Sequence, residues 1–405
     1  KSWSCPPACS TLEQARAQIQ RYSQGILVQS TAQLEDEFDY TGMTALSEVH
    51  KKRFLTFARQ ARLLHPEKQL LKVREGIQEA EDTRTFVLVP REENGQLAYF
   101  AAGQYLSLTL KIGGETVTRP YSLFSSPRQA LQGEYRLTIK RNGSGFVSRY
   151  LVDHWQAGTE VKASAPLGTF TYEPLRDAKN VVGIAGGSGI TPFHSLAQAI
   201  ADGDEDFTLT LLYGTRNYED AVLGRSFEEI CRRTDKVKVV YVLSEEEREG
   251  FEHGFITTER IRKYAPDGKY SLFLCGPQAM YRFVDREVAA LALPRKYVRH
   301  EMFGAALEGE TCEQYHCTVR MNGREETIPC VSEETLLVAM ERAGIYAPSH
   351  CRSGICGWYR SRLVSGQVRV DDRVDGRRAA DVKFGYIHPC CTYPAGDTVI
   401  EVPEA

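Results

Sequence analysis

Between Asn180 and Gly276 four apolar segments, NVVGIAG, FTLTLLYG, KVKVVYVL and YSLFLCG, alternate with helix-like stretches. No other feature narrows the fold as far. Strand–helix–strand alternation closes through right-handed crossovers, so a parallel sheet flanked by helices is predicted. Upstream, from about Leu70, the pattern changes to short strands: RTFVLV, QYLSLTL, TVTRPYSLF and YRLTIK, with Gly113-Gly114 as a hairpin turn. That reads as an antiparallel β unit, a small barrel, ending near Phe170-Thr171.

The two ends of the chain differ from this middle. Residues 1–68 read as a helical N-terminal extension. Ser10-Thr11-Leu12-Glu13 is a capping box, and a longer helix runs from about Thr44 to Leu64 before His65-Pro66. Lys51-Lys52-Arg53 suits a solvated helix face. After a polar, glycine-bearing linker over 304–314 comes a hairpin, CTVRM and ETIPC around Asn322-Gly323, then a helix from about Glu333 to Ala343. The expectation is a multidomain α+β and α/β chain divided at 1–68, 69–174, 175–304 and 313–405.

A net charge of −3 with no basic stripe argues against nucleic-acid binding. No apolar run reaches the roughly 18 residues a membrane span needs. With no signal peptide visible, a cytoplasmic protein is expected. Cysteine is the informative residue: there are 11, an odd number, which argues against a disulfide scaffold. Seven follow residue 310, which points to metal chemistry there. Cys351 and Cys356 have the spacing that opens a plant-type [2Fe-2S] loop, C-x4-C-x2-C, but Tyr359 stands at the third position. Cys5, Cys9, Cys317 and Cys330 read as structural thiols.

Four further motifs carry chemistry. Arg119-Pro120-Tyr121-Ser122 lies on a strand, where an arginine clamps a pyrophosphate, a tyrosine stacks on an isoalloxazine and a serine hydroxyl bonds near N5. Gly145-Phe146-Val147-Ser148 opens a helix whose backbone N–H groups suit phosphate. Gly186, Gly187, Ser188, Gly189, Ile190, Thr191 and Pro192 follow a strand directly, with Thr191 as N-cap and Pro192 at N1, where dinucleotides bind in open α/β sheets. Cys275-Gly276-Pro277 ends another strand in the same way. Arg216 suits either a 2′-phosphate or a solvated loop.

Together these motifs resemble the ferredoxin–NADP reductase superfamily, and the chain from about Glu313 resembles plant-type ferredoxins, a β-grasp fold. The resemblance implies FAD on Arg119, Pro120, Tyr121, Ser122, Gly145, Val147 and Ser148. It implies NADH or NADPH on Gly186 to Gly189, Thr191, Pro192, Gly276 and Pro277, with Arg216 nearby. Ser122 and Cys275 become the catalytic positions, and Phe303, in Glu301-Met302-Phe303-Gly304, shields the flavin. Cys351, Cys356 and Cys390 correspond to cluster ligands. For the missing one, the adjacent thiol Cys391 is the first candidate, ahead of Tyr359 and His388, although neighbours in an extended segment point to opposite sides. Tyr359 also fits a domain that holds no cluster, or a variant of a cysteine-bearing parent. The implied activity takes electrons from NAD(P)H through FAD to a [2Fe-2S] centre and on to a redox partner protein such as an oxygenase. The alternatives are a flavin-only reductase with a degenerate ferredoxin domain, and a non-catalytic electron-input or docking subunit.

Overall fold

The computed structural model describes residues 48–49, 66, 68–93, 95–142, 145–303, 312–347, 349–370 and 374–403. The chain divides into two units, Lys1–Leu64 and His65–Ala405. Of the first, only Glu48 and Val49 are described, both helical. The expected capping box, the rest of the helix over 44–64, the basic patch, Cys5 and Cys9 lie outside the described residues.

The second unit opens with six antiparallel strands: β1 (Lys68–Ala80), β2 (Thr83–Pro90), β3 (Tyr105–Ile112), β4 (Glu115–Ser122), β5 (Tyr135–Lys140) and β6 (Glu160–Ser164). Their order is β4-β3-β6-β1-β2-β5. Gly113 and Gly114 join β3 to β4 with φ of 62° and 94°. Glycine takes both values without a Cβ clash, which makes this two-residue hairpin cheap. The turn sets Leu108 opposite Arg119 and Leu106 opposite Tyr121. Phe86, Leu88, Phe100, Leu106, Leu108 and Leu137 form the core beneath. No ladder joins β4 to β5 among the described residues, so the expected barrel is an open half-barrel. Helices α1 (Pro127–Leu131) and α2 (Phe146–His154) follow β4 and β5.

The strand–helix alternation folds as predicted. Strands β7 (Asn180–Gly186), β8 (Thr208–Thr215), β9 (Val237–Leu243), β10 (Glu252–His253), β11 (Ser271–Cys275) and β12 (Val298–Glu301) are ordered β10-β9-β8-β7-β11-β12. Every pairing is parallel. Alternate residues of β7 feed opposite cores. Val181 and Ala185 join Phe193 and Leu196, while Val182 and Ile184 join Tyr281 and Val284. A strand covered on both faces in this way reads as a continuous apolar run. The helices are α3 (Thr191–Ala201), α4 (Gly224–Arg233), α5 (Thr258–Tyr264) and α6 (Gln278–Ala289). Thr191 is not the N-cap expected: a 3₁₀ turn over Gly187–Ile190 leads into α3, whose N-cap is Ile190. The Thr191 hydroxyl instead donates to the Ser188 carbonyl at 3.1 Å.

The last module has β13 (Gln314–Met321), β14 (Arg324–Val331), α7 (Leu336–Arg342), β15 (Ser361–Ser365), β16 (Val368–Val370), α8 (Ala379–Lys383), β17 (Tyr386–Ile387), β18 (Thr392–Pro394) and β19 (Thr398–Glu401). Asn322 and Gly323 turn the first hairpin with φ of 52° and 71°. The sheet order is β14-β13-β19-β15-β17, with β13 parallel to β19. Cys317 and Cys330 are buried with Val319, Ile328 and Leu336, as the structural reading expects.

Candidate active site

Two glycine-bearing turns meet at the carboxyl ends of β7 and β11. A Cβ on Gly189 would lie 2.2 Å from the Cys275 carbonyl oxygen and 2.6 Å from Gly276 Cα. A Cβ on Gly276 would lie 2.4 Å from Met280 Cε, and one on Gly186 would lie 2.6 Å from Met280 Sδ. Glycine at all three positions lets GGSGITP and CGP close on each other. Cys275 is fully buried between Ala185 of β7 and Glu301 of β12. Burial, reinforced by Glu301, pushes its thiol well up, so it stays protonated. Burial does the same to the Glu301 carboxyl, whose Oε2 has no partner among the described residues. Pro277 caps α6 rather than entering it. Arg216, just past β8, is exposed and paired with Asp220 at 3.3 Å.

β4 carries the second constellation. Ser122 is buried, and its Oγ has no partner among the described residues. An orphaned hydroxyl costs about 1–3 kcal/mol, so this one fits a polar ligand atom. Together with the unpartnered Glu301 Oε2 and the half-buried Tyr121, it suits a flavin. Tyr105 of β3 stands opposite Ser122 in the ladder. Its ring meets Phe303 edge-on at 6.3 Å, and a Cβ on Gly168 would lie 2.9 Å from it. Burial raises its phenol well above the usual range, with Cys351, Cys356, Glu301 and Cys390 adding to the shift. Tyr105 therefore faces both the nicotinamide side and the cysteine loop. Arg119 does not stand free: its guanidinium contacts Glu341 of α7 at 3.2 Å and donates to the Thr118 carbonyl at 2.8 Å. At α2, Gly145 is the N-cap and Val147 is buried. The Ser148 hydroxyl accepts from the Asn142 N–H at 3.0 Å.

The cysteine loop brings three sulfurs together. Cys351 Sγ accepts the Ser353 and Cys356 N–H groups, each at 3.4 Å, and Cys356 Sγ accepts the Trp358 N–H at 3.5 Å. Hydrogen bonds from the Cys356 and Cys390 thiols pull the Cys351 thiol far below its usual value. Gly354 has φ of 76°, and a Cβ there would lie 2.3 Å from the Val374 carbonyl oxygen and 2.4 Å from Cys391 Sγ. Amide-wrapped sulfurs around glycines fit a [2Fe-2S] centre. Tyr359 points elsewhere. It is buried, its hydroxyl donates to the Pro403 carbonyl at 3.3 Å, and burial pushes it up to about 12. Cys391 neighbours Cys390, but its thiol donates to the His388 carbonyl at 3.4 Å and packs with Val374.

Several residues of this arrangement escaped the motifs. Ser107 donates to the His350 carbonyl at 2.8 Å, and Arg352 holds Glu341 through both nitrogens at 2.6 and 3.0 Å. The Ser107–His350 bond ties the half-barrel to the cysteine loop across 243 residues, and no local pattern announces it. Tyr105 opens a strand like any packing aromatic. Glu301 had a signal, since it precedes Phe303 in the stretch that closes the flavoprotein half.

Comparison with known families agrees with this layout. Residues 70–172 match an oxidoreductase FAD-binding domain, 184–286 an oxidoreductase NAD-binding domain, and 319–395 a 2Fe-2S iron-sulfur cluster binding domain. Residues 1–78 match a family described as a predicted metal-binding protein. The chain is 28% identical over 350 residues to the glycine betaine monooxygenase reductase subunit of Pseudomonas aeruginosa, covering 80% of this chain and 93% of that one. It is 29% identical over 351 residues to the ferredoxin reductase component of the 3-ketosteroid-9-alpha-monooxygenase of Mycobacterium tuberculosis, covering 81% and 94%. The solved structure of phthalate dioxygenase reductase superposes with a TM-score of 0.60 at 26% identity, over 82% of this chain and 98% of that one. Three modules in this order, with relatives matched over nearly their whole length, place the chain in the ferredoxin–NADP reductase superfamily, as a reductase with a C-terminal plant-type ferredoxin domain.

Proposed function

We infer that this enzyme oxidises NAD(P)H and delivers the electrons, through FAD and a [2Fe-2S] centre, to a partner oxygenase or similar acceptor. The observation that carries the reading is Tyr105, which interacts with Glu301 and Phe303 as well as with Cys351, Cys356 and Cys390. When bound, FAD takes a two-electron hydride and gives electrons up singly, and the cluster carries one at a time. The chain's own residues bind, orient and exclude water.

Gly186, Gly189 and Gly276 shape the nicotinamide cleft, with Thr191 and Pro192 starting the helix behind it. Cys275, buried and neutral, would pack against the nicotinamide without carrying a charge into the cleft. Glu301, held protonated, keeps a second charge out of the cleft. Ser122 would hydrogen-bond the flavin edge, Tyr121 would cover its ring, and Phe303 would shield it until the dinucleotide enters. Arg119, Pro120, Gly145, Val147 and Ser148 would hold the ribityl and phosphate portion, with Arg119 released from Glu341. Cys351, Cys356 and Cys390 would hold the cluster. The nine described cysteines are all free thiols, which suits a reducing cytoplasm. The relatives named as monooxygenase reductases support an oxygenase as partner.

The test is cofactor analysis of anaerobically purified protein. About two irons and two sulfides per FAD are expected. Flavin without iron would instead support the flavin-only reductase, and negligible NAD(P)H oxidation with artificial acceptors would support the docking subunit.

A further inference from the structure

Tyr359 leaves the cluster one thiolate short, and it does so by turning into the β-grasp core. Its ring packs with Cys317, Val319 and Leu336, and its hydroxyl faces Met321 Sδ and the Pro403 carbonyl. The ligand side of the loop keeps Cys351, Cys356 and Cys390. Among the described residues no three His, Cys, Asp or Glu side chains converge as ligands of one metal ion. A two-iron cluster does not ask for that, since each iron takes two protein ligands and two sulfides.

His388 has the properties of a waiting ligand. It is 2% exposed. Its Nδ1 lies 2.5 Å from the Gly354 carbonyl oxygen. A carbonyl only accepts, so Nδ1 carries a ring proton and Nε2 is the nitrogen left to bind a metal. Nε2 is buried without a partner among the described residues. Metal-bound histidines are commonly oriented in this way, with the far ring nitrogen donating to a backbone carbonyl. The ring lines a cavity of about 20 Å³ with Cys356, Gly357, Trp358 and Cys390, a cavity that His350 and Tyr359 also border. Gly357, whose φ of 59° suits glycine, brings the turn after Cys356 against the imidazole: a Cβ there would lie 3.5 Å from Nε2. Gly354, inside the same loop, is the residue that fixes the tautomer.

We propose that His388, through Nε2, is the fourth protein ligand of the [2Fe-2S] cluster, in place of the thiolate that Tyr359 lacks. The inference rests on the relay reading above and makes the centre a three-cysteine, one-histidine cluster. The other candidates are placed less well. Cys391 meets the Cys390 thiol, but it also donates to the His388 carbonyl, packs beneath Gly354 and does not line the cavity. His350 also has an unpartnered Nδ1, but its ring lies edge-on to Trp358 at 4.3 Å and is only half-buried. A neutral imidazole in place of a thiolate removes one negative charge, so the cluster reduces at a higher potential than an all-cysteine one.

The test uses the full chain, reconstituted anaerobically with iron and sulfide, labelled with 15N-histidine and reduced with dithionite. Pulsed EPR is expected to show one strongly coupled 15N nucleus. His388→Cys is expected to retain two irons, lose that coupling and lower the potential; His388→Ala is expected to lose the coupling or the iron. His350→Ala and Cys391→Ser are expected to keep the coupling. Iron-loaded protein with no strongly coupled nitrogen, or coupling that survives in His388→Cys, overturns the histidine ligand and leaves the relay standing. A chain that takes up flavin but no iron on reconstitution overturns both.

Discussion

At the residue scale, the opening motifs translate into geometry where backbone approach is what matters. Gly189 was legible because a glycine-rich turn after a strand has one physical use, and its missing Cβ is what lets Cys275 and Gly276 close in. Gly189→Ala is expected to destabilise the chain by about 1–3 kcal/mol through overpacking and to raise the KM for NAD(P)H at least tenfold, as steady-state kinetics would read. Ser122→Ala removes the hydroxyl offered to the flavin. It should slow reduction by NAD(P)H about tenfold, equal to roughly 1.4 kcal/mol, with flavin content unchanged in stopped-flow samples. The direction of Tyr359 was not legible, since a residue at a ligand position in sequence says nothing of its rotamer. Its packing makes a clear prediction: Tyr359→Phe keeps its iron and loses only about 1 kcal/mol, the hydroxyl's contacts with the Pro403 carbonyl and Met321 Sδ. Iron loss in that variant would give the phenol a ligand role.

At the scale of elements, turns were read well and helix starts less so. Gly113-Gly114 and Asn322-Gly323 both form the two-residue hairpins their sequences suggest. Thr191 misled because its hydroxyl satisfies the 3₁₀ turn before α3, a detail beyond periodicity. Between α3 and β8 lies Glu205, whose carboxyl is pushed up to about 7 by burial and by Asp204 and Glu173. Unfolded, it titrates near its ordinary value of 4.5. Between those values the folded chain holds a proton that the unfolded chain has released, so stability falls as pH rises through this window and levels off above about 7. Glu205→Gln removes that fall. Compared with the parent, it should be relatively more stable at pH 8 than at pH 4, by about 1–3 kcal/mol in urea titrations. An unchanged pH profile would contradict the buried-carboxyl assignment.

At the scale of the whole molecule, the order of the modules was plain from the sequence and the link between them was not. Glu341 sits on a ferredoxin helix and Arg119 on a half-barrel strand 222 residues away, joined by a side-chain contact. Arg352, 8% exposed, shares the same carboxylate. Removing it in Glu341→Ala leaves a buried guanidinium unpaired, at a cost of about 3–5 kcal/mol. Hydrogen exchange should then rise in the cysteine loop and α7 before it rises in the parallel sheet. The Ser107–His350 hydrogen bond bears on the relay, because it seats the cysteine loop against the half-barrel. The most direct test is anaerobic rapid mixing of the fully loaded protein with NAD(P)H, followed by absorbance and freeze-quench EPR. Flavin bleaching followed by the signal of a reduced [2Fe-2S] centre, within a single turnover and without added mediator, is the predicted result. Flavin that bleaches while a loaded cluster stays oxidised would contradict the account.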